Sequence, residues 1–197
     1  VHVYVIYAHP ARQSFCRDVL GAFVDAARKA GHSVDVHDLY ADGFQSDMDE
    51  AQYCREVGGD PKAGLPLDIQ AEHRRIAKAD VLAFIFPNWW SDAPAKLKGW
   101  FDRVWSYGYA YLYEADGGRT SKIRPRKALV ICSAGHTEAH LEETGIAESM
   151  RRIFLGDRLG NVGFTDARME ILGGMMPGDS THRDSNLDRV RSVAGAL

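Results

Sequence analysis

The chain has 197 residues, enough for one complete α/β domain and too few for two of ordinary size. Hydrophobic residues make up 45% and charged residues 26%, a globular balance; the net charge of −3, with 24 Lys and Arg scattered rather than gathered, excludes electrostatic capture of nucleic acid or an anionic membrane. Cys16, Cys54 and Cys132 are odd in number and far apart, which excludes a disulfide framework or zinc ribbon and predicts reduced thiols in a cytoplasmic protein.

The opening Val1–Ile6 lacks the charged segment and cleavage site of a signal peptide, and no apolar run reaches a bilayer-spanning length, so no membrane insertion is expected. The missing initial Met leaves room for a short trimmed leader. Residues 2–8 are β-branched and aromatic and apolar on both faces, as in a central parallel strand. Residues 14–30 place Val19, Phe23, Ala26 and Ala27 at helical spacing, with Ser14 as the N-cap and Gly31 as the stop. Residues 33–39 alternate like a half-exposed outer strand, 41–67 is a long connection, and 68–79 reads as a helix with Ile69 and Ile76 inward. A buried strand over 81–86 leads to a helix over 94–105 with Pro94 in its first turn. Tyr107, Tyr109, Tyr111 and Tyr113 alternate, which suggests an extended edge. A buried strand over 127–132, a helix over 141–155, a strand over 164–172 and an amphipathic helix over 184–195 complete the chain.

Five strands alternating with helices predict a doubly wound five-stranded parallel sheet of order 2-1-3-4-5, in one domain over 1–197. Ligands of such sheets bind beyond the C-terminal strand ends where the order reverses, which singles out loops 8–16, 87–93 and 133–140.

Each loop carries a chemical reading and a bland one. The first runs from a strand into a helix capped by Ser14, an anion site to which His9 and Arg12 add donors; it matches neither a Walker loop nor a G-x-G-x-x-G fingerprint. Ser14 alone explains no more than a cap. In the second, Trp89 and Trp90 leave a central strand side by side and offer a flat wall suited to a flavin, Trp90 above all; the alternative packs one of them beneath the next helix. In the third, Ser133, Ala134 and Gly135 let backbone approach a ligand edge. His136 and His140 stand four apart, but Thr137 holds the place where an H-E-x-x-H zinc site needs Glu. No metal is therefore expected, and the histidines are assigned to polarising an acceptor oxygen or orienting nicotinamide, against solvent-facing side chains. The tyrosines read either as surface packing or as a subunit interface that lines a cleft.

The strings AHPARQSF (8–15), DLYADGF (38–44) and FPNWWSDAPAKLKGWFDRVWSYGYAYLY (86–113) resemble the NAD(P)H:quinone oxidoreductases of the flavodoxin-like fold over most of the chain. The resemblance implies a homodimer binding FAD, or FMN as in some branches, with NAD(P)H as co-substrate and a quinone or related small molecule as acceptor in a ping-pong hydride transfer. It places His9, Ser14, Phe15 and Cys16 along the flavin phosphates or ribityl chain, and Pro87, Asn88, Trp89, Trp90 and Ser91 beside the ring. Ser133, Ala134, Gly135 and His136 fall on the ring's other edge, and their backbone N–H groups are expected to stabilise charge on the reduced ring. Tyr111 and Tyr113 fall where the family's tyrosines enter the partner's active site. The Tyr and His of animal members align near Leu141 and Ala147, so His136 or His140 is expected to substitute, and the animal C-terminal extension is missing. Reduction of nitro compounds, azo compounds, chromate or one quinone-like biosynthetic intermediate stays open, as do a regulatory flavoprotein of a potassium-efflux transporter and a one-electron carrier.

Overall fold

A computed structural model of the chain describes residues 1–60, 62–176 and 178–197. In chain order the elements are β1 (His2–Tyr7), α1 (Phe15–Lys29), β2 (Ser33–Asp38), α2 (Glu50–Gly58), α3 (Leu67–Lys78), β3 (Val81–Pro87) and α4 (Ala95–Val104). The short strands β4 (Leu112–Tyr113) and β5 (Arg119–Thr120) follow, then β6 (Lys127–Ser133), α5 (Glu138–Glu143) and α6 (Ile146–Arg151). A π-helical stretch, Arg152–Leu159, a 3-10 turn, β7 (Asp166–Leu172) and α7 (Arg183–Gly195) end the chain.

The sheet order is β2-β1-β3-β6-β7 with every pair parallel, the doubly wound arrangement the sequence predicts. β3 is buried along its whole length and β1 and β6 nearly so, because helices cover both faces; β2, at the edge, is only partly covered. One face sets Val3, Val5, Ile85 and Ile131 against Val19 and Phe23 of α1 and Val190 of α7. The other sets Tyr4, Ile6, Phe84 and Phe86 against Trp100 and Phe101 of α4, Leu141 of α5 and Phe154 of the π-helical stretch. This second face also buries Glu72 of α3. One of its oxygens accepts hydrogen bonds from the Tyr4 hydroxyl and Trp100 Nε1, both at 2.5 Å, and the other lies 3.1 Å from His37 Nδ1. Burial pushes the Glu72 carboxyl up, but His37 and the two donors outweigh it and hold it below the usual range.

Four sequence expectations need correction. The connection 41–67 contains α2, capped by Asp49, and its buried positions are Gln52 and Arg55 rather than apolar residues. Gln52 exchanges hydrogen bonds with Arg103, Nε2 to its carbonyl and Arg103 Nε to Oε1, both 2.9 Å. The helix expected over 141–155 breaks at Thr144 and Gly145, where the Gly145 φ is +73°, resumes as α6 and continues in π form to Leu159. The tyrosine run is not one extended edge. Gly108 turns the chain at φ +80°, Tyr109 stacks on His73 at 3.6 Å, and only Leu112–Tyr113 is strand, paired antiparallel with β5. The final strand also starts at Asp166 rather than Phe164, which is buried in the preceding turn.

Candidate active site

Because β1, β3 and β6 are neighbours, their C-terminal loops emerge side by side where the strand order reverses. Contacts join all three loops. Asn88 N donates to the Ser133 carbonyl (2.7 Å), Cys16 Sγ lies 3.0 Å from Ser133 Oγ, and the rings of His9 and Trp89 are 6.3 Å apart.

The first loop ends at Ser14, whose extended backbone (φ −166°) and side chain cap α1 by accepting from Arg17 N at 3.2 Å. Among the described residues the N–H groups of Phe15 and Cys16 have no acceptor, so the start of α1 presents free donors and its positive dipole end. The Cys16 thiol is buried and pushed up to about 11 by that burial, which leaves it unreactive; what Cys16 offers a ligand is its backbone. His9 Nδ1 lies 3.0 Å from Ala11 N and 3.3 Å from the Ala11 carbonyl oxygen, and burial keeps the ring's pKa below the ordinary histidine value. Arg12 is exposed, without an ion-pair partner among the described residues. A cavity of about 620 Å³ opens here, lined by His9, Pro10, Arg12, Arg17, Asp38 and Tyr40 among others.

In the second loop Trp89 N donates to the Asp92 carbonyl (2.9 Å) and Asp92 N to that of Trp89 (3.1 Å). Between them Trp90 (φ +53°) and Ser91 (φ +63°) are the only non-glycine residues in the left-handed region among those described. Two left-handed centres make the pattern of a type I′ turn, normally built from Asn-Gly, and each costs about 1–2 kcal/mol in a residue with a Cβ. Neither indole packs beneath α4: Trp89 is 43% exposed and Trp90 fully so. Asn88 Oδ1 and, at the end of β1, the Tyr7 hydroxyl are buried without a partner among the described residues.

The third loop departs from expectation in detail. Ala134 N donates to the Leu172 carbonyl (3.0 Å) and is not available to a ligand, whereas Gly135 and His136 N–H have no acceptor among the described residues. The space a Gly135 side chain would enter is taken by Met176 Sδ, 2.9 Å from the Cβ position, and not left for a ligand. Beyond β7 the chain runs on beside the loop, with Gly174 N donating to His136 O and Met175 N to Ala134 O, both 2.9 Å. Gly173 permits this approach, because a Cβ there would lie 2.5 Å from Glu138 N. His136 and His140 are exposed with ring centroids 4.5 Å apart. Among the described residues no cluster of His, Cys, Asp and Glu is arranged to hold a metal, and no helix is long and apolar enough to cross a membrane. Leu141 and Ala147, where the resemblance places the Tyr and His of animal members, are buried in the core.

Tyr111 and Tyr113 lie on the β4–β5 hairpin, ring centroids 6.0 Å apart, with the Arg119 guanidinium over Tyr111 and Tyr113 63% exposed. Sequence reasoning missed Tyr7, Arg158, Gly173, Gly174 and Arg189; the Gly-Gly pair closing a strand was the one readable signal. Arg189 joins Glu138 of α5 (2.8 Å) to Glu170 of β7 (2.5 Å) and so braces the third loop.

A family model described as flavodoxin-like fold matches residues 1–194. The structure of an NAD(P)H:quinone oxidoreductase from Methanothermobacter marburgensis is 55% identical, superposes with a TM-score of 0.95, and is matched over 98% of this chain and 97% of its own. An NAD(P)H dehydrogenase [quinone] 1 from Cavia porcellus is 33% identical over 81% of this chain; this chain spans 62% of its length. An uncharacterized NAD(P)H oxidoreductase from Haemophilus influenzae is 28% identical over 86% of this chain and 82% of its own.

Proposed function

The chain belongs to the NAD(P)H:quinone oxidoreductase family of the flavodoxin-like fold, and from that premise we propose that it passes hydride from NADH or NADPH to a quinone through a bound flavin. The observation that carries this reading is the meeting of three loops around exposed tryptophans, free N–H groups and two unpartnered buried polar atoms. That donor set fits a flat ring with a phosphate tail. When bound, a flavin supplies two-electron hydride chemistry.

The chain's own residues bind and orient. The N–H groups of Phe15 and Cys16 at the start of α1 hold phosphate, with Arg12 and His9 adding side-chain donors. Asn88 Oδ1 would accept a hydrogen bond from the flavin, and Trp90 would offer it or the substrate a flat face. Gly135 and His136 N–H groups stabilise negative charge at the ring edge. His136, supported by His140, holds the proton that reaches the acceptor oxygen. FAD is the preferred flavin, because the cavity beside His9 and Arg12 gives an adenosine half room beyond the phosphates. A homodimer is proposed on the exposed Tyr113, which a partner subunit would cover.

The test is to incubate purified protein with FAD or FMN and follow oxidation of NADH or NADPH by benzoquinone. Turnover dependent on flavin and quinone supports the reading. Protein that takes up neither flavin and shows no turnover overturns it.

A further inference from the structure

The turn at Trp89–Asp92 is locally the wrong sequence for its shape. Two adjacent left-handed centres call for Asn-Gly, yet Trp90 and Ser91 occupy them. Among the described residues the turn's own backbone hydrogen bonds join Trp89 and Asp92, and the Trp90 indole is fully exposed. Some other part of the molecule must keep this shape.

That part is Arg158. Its guanidinium grips the Asp92 carboxylate through two hydrogen bonds, Nη1 to Oδ1 at 2.8 Å and Nη2 to Oδ2 at 2.9 Å. The arginine side chain is only 10% exposed and lies over the rings of Phe154 at 4.4 Å and Phe101 at 5.4 Å, so it has little freedom to follow a moving partner. Its carbonyl accepts from Trp105 Nε1 at 2.9 Å, which ties the π-helical stretch to the end of α4. The other Asp92 contact, Ala93 N to Oδ1 at 2.6 Å, sets the carboxylate at the entry to α4. The turn is thereby fastened to the core at its last residue.

We infer that Arg158 is a positioning residue: through Asp92 it holds the Trp90–Ser91 turn in its left-handed form and so presents the Trp90 indole, ready-made, to the flavin or its substrate. This rests on the proposed function for the ligand, but not for the clamp itself. Arg158 touches no reacting atom in this scheme. Its effect is preorganisation, since a turn that must be ordered on binding weakens affinity by the freedom it loses.

The experiment compares wild type, Arg158→Met, Asp92→Asn, and each of these combined with Ser91→Gly. Glycine adopts φ near +63° without strain, so it relieves one of the two left-handed centres the clamp holds but replaces no packing role of Arg158. Two readouts are taken on each purified protein: flavin affinity by fluorescence titration, and the rate of chymotrypsin cleavage after Trp89 or Trp90 without added flavin. Arg158→Met and Asp92→Asn are each expected to weaken flavin binding roughly tenfold and to speed cleavage by a similar factor, and Ser91→Gly to recover part of both. Should Arg158→Met fail to fold, Asp92→Asn weakens the same contact from its exposed side, by removing the charge and one of the two acceptor oxygens. Unchanged cleavage in the single variants, or no recovery with Ser91→Gly, overturns the clamp. Wild type that binds no flavin but shows the cleavage pattern keeps the clamp and removes the functional reading instead.

Discussion

The two faces of the sheet are built on different physics. The face under α1 and α7 is closed mostly by Val, Leu, Ile and Ala, with Tyr7 and Phe23 as its largest side chains. The face under α3, α4 and the π-helical stretch is filled by Trp100, Phe84, Phe86, Phe101 and Phe154, and buries a carboxylate and a histidine among them. An aliphatic layer needs only volume and can be repacked. A layer holding Glu72 needs every donor in place, because an unpaired buried charge is far more costly than a cavity. The faces also serve the site differently: α1 of the first presents the free N–H groups, and the second carries Arg158 and α4 behind the tryptophan turn. The aliphatic layer thus backs the end that presents free backbone donors, and the specified layer backs the tryptophan turn.

Breaking the polar layer should have the largest effect. Glu72→Ala leaves the Tyr4 hydroxyl, Trp100 N–H and His37 without their acceptor and is expected to destabilise by about 3–5 kcal/mol. Urea unfolding measures this, and a loss below about 1 kcal/mol would show that the network is replaceable. Next comes acid. Burial beneath Tyr109, with Arg55 nearby, lowers the His73 pKa from 6.5 to about 4. The folded state then resists a proton that the unfolded chain accepts, so stability is full above pH 6.5 and falls as pH drops toward 4, by about 2–3 kcal/mol. Glu72 acts in the same direction lower down, its stabilisation being lost as pH falls through its depressed folded pKa. His73→Phe should flatten the upper part of that decline; an unaltered pH profile would remove His73 from it. On the aliphatic face, Ile85→Val is expected to cost only about 0.5–1.5 kcal/mol, with no change in pH dependence. A loss comparable with Glu72→Ala would erase the distinction between the faces. Smallest of all is Arg152→Ala, which removes an exposed i,i+4 pair with Glu148 at 2.8 Å and should shift stability by no more than about 0.5 kcal/mol in thermal unfolding.

Legibility in the sequence follows the same division. VLAFIF and KALVIC announce buried strands because burial on both faces admits only apolar residues, and the Ser14 cap and the order of the strands were readable for similar reasons. The helix α2 was not, because Gln52 and Arg55 occupy the inward positions where a period of apolar residues would be sought. The tyrosine run misled through spacing: alternation suggested a strand, but Gly108 turns the backbone and sends Tyr109 inward while Tyr113 faces out. All three loops of the site could be named from strand ends alone. How they are held could not, since Arg158 lies 66 residues from Asp92 and Gly173 lies 35 to 37 from the loop residues it abuts.

The central claim is that the stretches 9–16, 87–92 and 133–138 form one flavin site. Amide resonances of isotope-labelled protein, followed during titration with FAD or FMN, test it directly. Signals in all three stretches are expected to shift together with one affinity, while those of the outer turns of α1 and of α7 stay put. Shifts confined to one stretch, or none at saturating flavin, would contradict it.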